Sequence, residues 1–395
     1  MRVAQINVTC GAGSTGKICL EVSKLLTERG VENRIYYTSG KSDYPLGVKY
    51  ASDKYIKLQA LKSRIFGKYG FNSKSATKKL IKHLEEFKPD IIQLHNLHGH
   101  NVHLGMLLNY IKEKGIKTYW TFHDCWNFTG YCPHYAMVKC DKWKGECHSC
   151  VRKGEFSWFF DKSTWLRDQK EKISKGLDLT IIGPSDWTSS QAKESFFGTY
   201  PVVTIKNGID LEIFKPTESD FRKKYGLENK KIILGVAFDW GVRKGLDVFL
   251  ELSKRLPSDY QIVLVGTNDE IDKRLTSNII SIHKTANQKE LAEIYTASDV
   301  YANPTREEVL GLVNIEALAC GTPVVTFRAG GSPECVNENC GSVVEIDDID
   351  SLEREIVRIC QDKPFTKEAC FRKAREFDKN LKFKEYVDLY TRELK

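Results

Sequence analysis

Short apolar runs alternate with longer stretches of helical periodicity along the whole chain. Arg2 to Val8 reads as a strand, Thr15 to Glu28 as a helix ended by Gly30, and Asn33 to Thr38 as a second strand. Asp90 to Leu94 and Thr118 to Phe122 are further strands, each preceded by a helical pattern, and Thr180 to Gly183 is another, closed by Pro184-Ser185. Ser185 to Gly198 starts a helix, and Val202 to Asn207 leads into the turn Asn207-Gly208-Ile209-Asp210. The alternation then restarts. Ile232 to Ala237, Gln261 to Gly266 and Ile279 to His283 read as strands, and Leu246 to Leu256 as a helix. Such alternation predicts an α/β fold with parallel sheets covered by helices. Sheets of this kind bind ligands beyond the carboxyl ends of their strands. At 395 residues the chain is long enough for two domains.

Composition narrows the setting. The chain carries 12 cysteines and a net charge of +8. It has no apolar run of about 18 residues, the length of a membrane span. Its start, MRVAQINVTCG, turns polar at once, unlike a secretory signal. A cytoplasmic protein is expected, so the cysteines read as free thiols or metal ligands rather than disulfides. Nucleic acid is not an expected partner. The cationic excess suits an anionic ligand and, in one segment, an anionic membrane face. Lys54, Lys57, Lys62, Arg64, Lys68, Lys74, Lys78, Lys79 and Lys82 follow one another without an intervening acid. Tyr55, Ile56, Leu58, Leu61, Ile65, Phe66, Tyr69 and Phe71 are interleaved with them. Residues 54–82 can therefore lie on anionic lipid or form a solvated helical face.

The strongest chemical signal is NPTREEVLGLVNIEALACGTPVVT, residues 303 to 326. A strand ends at Asn303-Pro304, a charged loop leads to Gly311, and a helical pattern runs from Leu312 to Leu318. Gly321 stands where a helix C-cap glycine belongs, and Pro323 blocks continuation before Val324-Val325 opens a new strand. The N–H groups of Val309, Leu310, Gly311, Leu312 and Val313 have no helical carbonyls to bind, so they form an anion site. Glu308 and Glu316 flank it. Carboxylates repel an anion unless they face hydroxyl groups. Phosphate on the amides, with sugar and ribose hydroxyls on the glutamates, describes a nucleotide-sugar. The plainer alternative is an amphipathic helix with two solvated glutamates.

This segment resembles the donor motif of retaining GT-B glycosyltransferases of glycosyltransferase family four. Glu308, Gly311, Leu312, Glu316, Ala317, Ala319, Gly321, Pro323, Val324 and Val325 match it, while Val309 and Leu310 replace the usual Gly-Phe. Asn207-Gly208-Ile209-Asp210, followed by Phe214 and Pro216, resembles the turn that opens the family's second domain. Arg243-Lys244-Gly245 resembles its diphosphate-binding pair. Phe238 stands where many relatives carry an arginine six residues before the lysine.

The resemblance implies a GT-B fold, two Rossmann-like domains with parallel sheets facing a central cleft. Residues 1–184 would be the acceptor-side domain and 185–380 the nucleotide-sugar domain. Residues 381–395 would cross back to the first domain, as a helix from Phe383 to Leu394. Glu308 would hold hydroxyls of the donor sugar and Glu316 those of the ribose. Arg243 and Lys244 would hold the diphosphate, and Asn207 and Gly266 would also line the donor site. The loop after His283 would hold the base.

The first strand ends in CGAGSTGK, residues 10 to 17. Gly11, Gly13 and Gly16 match a dinucleotide fingerprint, but the strand IYYTSG lacks its acidic residue. Gly11, Gly16 and Lys17 begin a Walker A motif, but Ile18 replaces its Ser or Thr. What remains is a Gly-rich loop approaching a diphosphate with backbone amides at Gly13, Ser14 and Gly16, or a plain tight turn. The family carries such a loop here. It also carries an active-site histidine after the strand that ends here at His123-Asp124, beside the donor sugar and diphosphate. HNLHGHNVH, residues 95 to 103, packs His95, His98, His100 and His103 together. Their spacing fits neither one helix face nor one strand face, so an acceptor-binding role is preferred to metal.

An insertion at 125–150 follows His123. Cys132, Cys140, Cys147 and Cys150 form C-x7-C-x6-C-x2-C, a pattern suited to a closed structural zinc site. Free thiols or redox bridging are the alternatives, and Cys125 and His134 are possible substitute ligands. Asp347-Asp348-Ile349-Asp350 contains a D-x-D, read as a helix cap in which Asp350 and Glu353 form a capping box.

The implied activity is transfer of a hexose or N-acetylhexosamine, with retention of configuration, from a nucleotide-sugar to a glycan or lipid-linked glycan. UDP is the expected nucleotide and GDP-mannose the alternative. Surface polysaccharide assembly, at the cytoplasmic face of the plasma membrane, is the expected setting. No catalytic cofactor is expected, because the leaving diphosphate itself takes the acceptor's proton. A sugar-nucleotide epimerase of the same fold and a dinucleotide oxidoreductase are the competing classes.

Overall fold

Parallel pairing organises both halves of the chain. The computed structural model describes residues 1–392. Seven strands form the first sheet: β1 Arg2–Ile6, β2 Glu32–Tyr37, β3 Gly47–Lys49, β4 Ile91–Leu94, β5 Lys117–Thr121, β6 Leu179–Gly183 and β7 Val202–Thr204. Their order is β3-β2-β1-β4-β5-β6-β7, and every pair is parallel. Six strands form the second sheet: β8 Lys231–Val236, β9 Tyr260–Val265, β10 Ile279–Ile282, β11 Val300–Asn303, β12 Val324–Phe327 and β13 Gly341–Val344. Their order is β10-β9-β8-β11-β12-β13, again all parallel. Each sheet reverses its strand order beside its first strand, the switch point where α/β sheets bind ligands.

Burial on both faces explains the unbroken apolar strands. Ile91 to Leu94 and Val324 to Phe327 are buried at every position, as expected for parallel strands covered on two sides. The domain boundary departs from the expected 184/185. Among the described residues, one compact unit comprises 1–206 and 383–392, and the other 207–382. The reason is β7. It pairs with β6, so the helix Asp186–Glu194 is the crossover of the first sheet rather than the start of the second domain.

The C-terminal helix Lys379–Arg392 ends on the N-terminal domain, as expected. Leu394 lies outside the described residues. Phe383, Tyr386, Val387 and Tyr390 are buried with Val3, Ile18, Val22, Tyr119 and Ile182. Tyr390 Oη donates to Gln93 Oε1 at 2.8 Å. One cap also differs from expectation. Asp348, not Asp350, caps the helix Ile349–Asp362, accepting from the Ser351 N–H. Asp350 instead meets Arg255 at 2.6 Å, because it already lies inside the first helical turn.

The contacts of Tyr390 predict its contribution. Tyr390→Ala should cost about 3–5 kcal/mol, and Tyr390→Phe about 1–3 kcal/mol through the orphaned Gln93 oxygen, in urea unfolding. A loss below ~1 kcal/mol for the alanine variant would show that the helix does not complete this core.

Candidate active site

In the C-terminal domain, the loops after β8 and β11 bring predicted donor residues together. The turn Val242–Lys244 is stitched to the loop after Asn303, since the Arg306 N–H donates to the Arg243 carbonyl at 2.9 Å. Arg306 clamps the junction with its guanidinium, 2.8 and 2.9 Å from Asp247 and 2.7 Å from Asp347. Arg306 is a residue the sequence reading missed; its signal was only the acidic company it keeps across the fold. The clamp leaves Lys244 Nζ 2.7 Å from Glu308 Oε2, with both side chains exposed by less than a fifth. Arg243 points elsewhere, reaching Asp239 only at 3.9 Å.

The expected anion site is partly as read. Gly311 takes a left-handed φ of +89° and no side chain caps the helix Leu312–Ala319 that it opens. A side chain at 311 would be strained and would press on Asn314. Leu310 is buried, while Val309 and Leu312 are half-buried. Asn314 braces the turn, accepting from Asn303 at 2.8 Å and donating to Ser332 at 3.2 Å. The Val309 N–H, however, donates to Glu308 Oε1 at 3.2 Å, so that amide already serves a carboxylate. Glu316 accepts from Tyr295 Oη at 3.2 Å. Burial, with Glu316 beside it, pushes the Tyr295 phenol well up, so it remains a donor.

Asn207 is buried, and its Oδ1 has no hydrogen-bond partner among the described residues. Gly266 ends β9 and donates its N–H to Ile282 at 2.8 Å. Phe238, where relatives carry an arginine, is fully exposed. His283 is held by Asp272 at 2.6 Å, which raises its pKa above the ordinary histidine value.

In the N-terminal domain the residues after β1, β4 and β5 meet. The helix Gly13–Glu28 starts at the Gly-rich loop with no side-chain cap and no acid in its first turn. Gly13 has a left-handed φ of +67°, and a Cβ there would meet nothing within 4 Å. Gly13 and Ser14 are exposed and Gly16 is buried, so the first two present the open amides.

His123 Nε2 lies 3.0 Å from His95 Nδ1, and His95 Nε2 lies 3.3 Å from Gln5 Oε1. Gln5 spends its amide hydrogens on the Cys19 carbonyl, so its oxygen must accept. His95 therefore carries its proton on Nε2 and accepts from His123 at Nδ1. This leaves Nδ1 of His123 as an acceptor. Burial lowers the His123 pKa to about 4 and that of His95 well below the usual range, with His123 adding to the latter. Both rings are neutral near pH 7.

The other histidines separate into distinct duties. His98 meets Asp124 at 2.7 Å. Burial pushes the Asp124 carboxyl up, but His98 and the Trp126 N–H outweigh it and hold it at about 2. His100 lies 3.1 Å from Ser63 Oγ, and His103 caps the helix Leu104–Lys114. A capping histidine was not foreseen, because histidine is a rare cap beside Ser, Thr, Asp and Asn.

The four cysteines of the insertion line one cavity of about 190 Å³. The Cys132 thiol beside Cys150 holds the Cys150 pKa down at about 7. The Gly130 N–H donates to Cys147 Sγ at 3.3 Å. Among the described residues, only Asp269, Asp272 and His283 bring three possible ligand atoms within 4.8 Å of one another. The four sulfurs thus share a cavity without converging on one point. Lys170 beneath them was missed by the sequence reading, which had no means of burying it. It is wholly buried, bonds the carbonyls of Trp126, Thr129 and Gly130 at 2.6, 2.9 and 3.2 Å, and lies 3.7 Å from the Trp126 ring centroid.

Residues 15–213 match the family model described as Glycosyltransferase Family 4, and residues 201–380 match that of Glycosyl transferases group 1. The chain is 30% identical over 217 residues to the GDP-mannose-dependent monoacylated alpha-(1-6)-phosphatidylinositol monomannoside mannosyltransferase of Corynebacterium glutamicum, covering 50% of this chain and 56% of that one. The chain thus spans little more than half the length of that curated relative. It is 21% identical to the putative colanic acid biosynthesis glycosyl transferase WcaC of Escherichia coli, over 94% of this chain and 92% of that one. Among solved structures, Anabaena HepE in complex with UDP and glucose superposes with a TM-score of 0.69 at 15% identity, covering 99% of each chain. That likeness is one of fold, and the two parallel-sheet, Rossmann-like halves are those of GT-B glycosyltransferases. With one family model spanning half the chain and a second covering most of the remainder, the chain belongs to Glycosyltransferase Family 4.

Proposed function

We propose that this chain transfers a hexose or N-acetylhexosamine from a nucleotide-sugar to a glycan or lipid-linked glycan, with retained configuration. The observation that carries the reading is the Lys244–Glu308 pair at 2.7 Å, beside an uncapped helix start with Glu316 about one turn into that helix. One cation, several backbone donors and two carboxylates match a diphosphate flanked by hydroxyl groups. Lys244 and the amides of Leu310 to Leu312 would take the diphosphate as charge builds on it. Arg243 would join them. Glu308 would turn to donor-sugar hydroxyls and Glu316 to the ribose, and Asn207 and Gly266 would also line the donor site.

The N-terminal domain offers a complementary set. Gly13 and Ser14 present amides for an anion, and the neutral His123 presents Nδ1 to a hydroxyl hydrogen. In the transfer, the bond from the anomeric carbon to the diphosphate oxygen breaks. A bond to the acceptor oxygen forms on the same face, and the acceptor's proton passes to the leaving phosphate. No step requires a metal. A UDP-linked donor is favoured by the likeness to HepE, whose structure holds UDP and glucose. GDP-mannose is favoured by the mannosyltransferase relatives. Surface polysaccharide assembly is the setting favoured by the end-to-end likeness to WcaC.

For the insertion we propose a structural zinc held by Cys132, Cys140, Cys147 and Cys150. Four thiols around one cavity are the right number and kind of ligand for a thiolate site, and the metal would draw together sulfurs that do not converge without it. The buried Lys170 braces the loop beneath it through the carbonyls of Trp126, Thr129 and Gly130.

Thermal-shift titration should show stabilisation by UDP or a UDP-sugar. Stabilisation by GDP alone would reassign the donor, and by NAD alone would reject the glycosyltransferase reading. Glu308→Gln and Lys244→Ala should each lower transfer on the order of 100-fold with unchanged circular dichroism; unaltered turnover in both would remove the pair from the site. Elemental analysis of the purified chain should find roughly one zinc per molecule, lost in Cys132→Ser/Cys150→Ser with a lower Tm. A metal-free chain melting at the same temperature with and without chelator would refute the zinc site.

A further inference from the structure

Of the histidines that follow β4, His95 is buried, whereas His98, His100 and His103 keep part of their surface. At 1% exposure it cannot take the role in binding an acceptor glycan expected of this cluster. Its polar atoms are engaged inside the protein. The backbone N–H donates to the Ile6 carbonyl at 3.0 Å, and the backbone carbonyl accepts from Trp120 Nε1 at 3.1 Å. The two ring nitrogens span Gln5 and His123. Burying a polar ring is costly unless its nitrogens are paired, and here each is paired with a side chain brought by a neighbouring strand.

The row Gln5–His95–His123 has a direction, set at its buried end. Gln5 Nε2 donates to the Cys19 carbonyl at 3.0 Å. The reversed amide would set two carbonyl oxygens against one another at that distance. Gln5 Oε1 therefore faces His95, which donates from Nε2 and keeps a lone pair on Nδ1. That lone pair takes the Nε2–H of His123 at 3.0 Å. A second proton on His95 would bring two N–H groups face to face, and burial, with His123 adding to it, holds the His95 pKa well below the usual range. At the outer end stands Nδ1 of His123, on a half-buried residue. It can accept a hydrogen bond and cannot donate one.

We propose that Gln5 and His95 are positioning residues for the transfer: they hold His123 with its proton inward on Nε2, so that Nδ1 accepts from a hydroxyl group of the sugar being moved. The inference rests on the glycosyl-transfer reading above and deepens it, because the row decides what His123 can recognise. An accepting nitrogen selects a hydroxyl hydrogen and refuses an oxygen that carries none. His123 therefore serves the sugar and not the diphosphate. Neither Gln5 nor His95 touches the substrate. They act by fixing the tautomer and the ring orientation of the residue that does.

The test is nitrogen-15 NMR of the full chain labelled in histidine, with His123 assigned by the signals lost in His123→Ala. At pH 7 His123 should show a protonated Nε2 and a bare Nδ1. UDP-glucose should move the Nδ1 resonance and UDP alone should not, since only the former brings the sugar. In His95→Leu the Nδ1-protonated form should appear, and kcat/KM for release of UDP from UDP-glucose should fall on the order of 10- to 100-fold. His95→Asn, which keeps an acceptor close to the place of Nδ1, should retain the tautomer and recover most of the activity, a rescue that a packing role would not give. Gln5→Glu should reverse the row, because its carboxylate draws a second proton onto His95 and drives the His123 proton to Nδ1. Circular dichroism and melting temperature establish that the variants fold. A wild-type His123 protonated on Nδ1, or a tautomer unmoved in both His95→Leu and Gln5→Glu, overturns the positioning role and leaves the transfer reading standing. The expected tautomer with full activity in His123→Ala overturns the role of His123 in the transfer, and the positioning role with it.

Discussion

Parallel strand pairing is the constraint on which everything else in this molecule rests. A parallel neighbour cannot be reached by a tight turn, so the chain must return over a face of the sheet each time. All carboxyl ends of one sheet then lie along one edge. In the first sheet β1, β4 and β5 are adjacent, which is why Gln5, His95 and His123 form one hydrogen-bonded row although 118 positions separate the first from the last. In the second sheet β8 and β11 are adjacent, which is why Lys244 and Glu308 meet. The chemistry follows from strand order.

Two of the groups on these edges already have protein partners. Glu308 takes both Lys244 and the Val309 N–H, and His95 takes His123. On the proposed reading, an anion that takes Lys244 away from Glu308 leaves a carboxylate that needs donors of its own. A diphosphate followed by a hydroxyl-bearing ring provides both in one molecule, whereas a bare phosphate provides only the first. The pair leaves neither charge half-buried without a counterion, and on the proposed reading it would discriminate by exchange of partners.

Much of this was legible in the chain. The alternation of apolar runs located the strands because parallel strands are buried on both faces. The string from Glu308 to Val325 marked the uncapped helix start at Leu312, because a helix start after a strand has a fixed consequence for its amides. Three things were not legible. The domain boundary moved to Lys206 because a three-residue edge strand, Val202–Thr204, carries too little pattern to assign to a sheet. The tautomers of His95 and His123 depend on what Gln5 does with its amide hydrogens. Asp348 displaced Asp350 as a cap because both fit the local rule, and only backbone geometry chooses between neighbours.

The C-terminal helix has a consequence in time. Residues 207–382 form a contiguous unit, whereas the N-terminal unit is interrupted by them. On the ribosome, β1 to β7 emerge early but leave the face formed by Val3, Ile18, Tyr119 and Ile182 uncovered. That face waits for Tyr386 and Tyr390. At about 5–20 residues per second, the wait is on the order of 10 s or longer. The half of the protein that is made first is therefore the half that is finished last, and its open face must be kept from other chains in the interval.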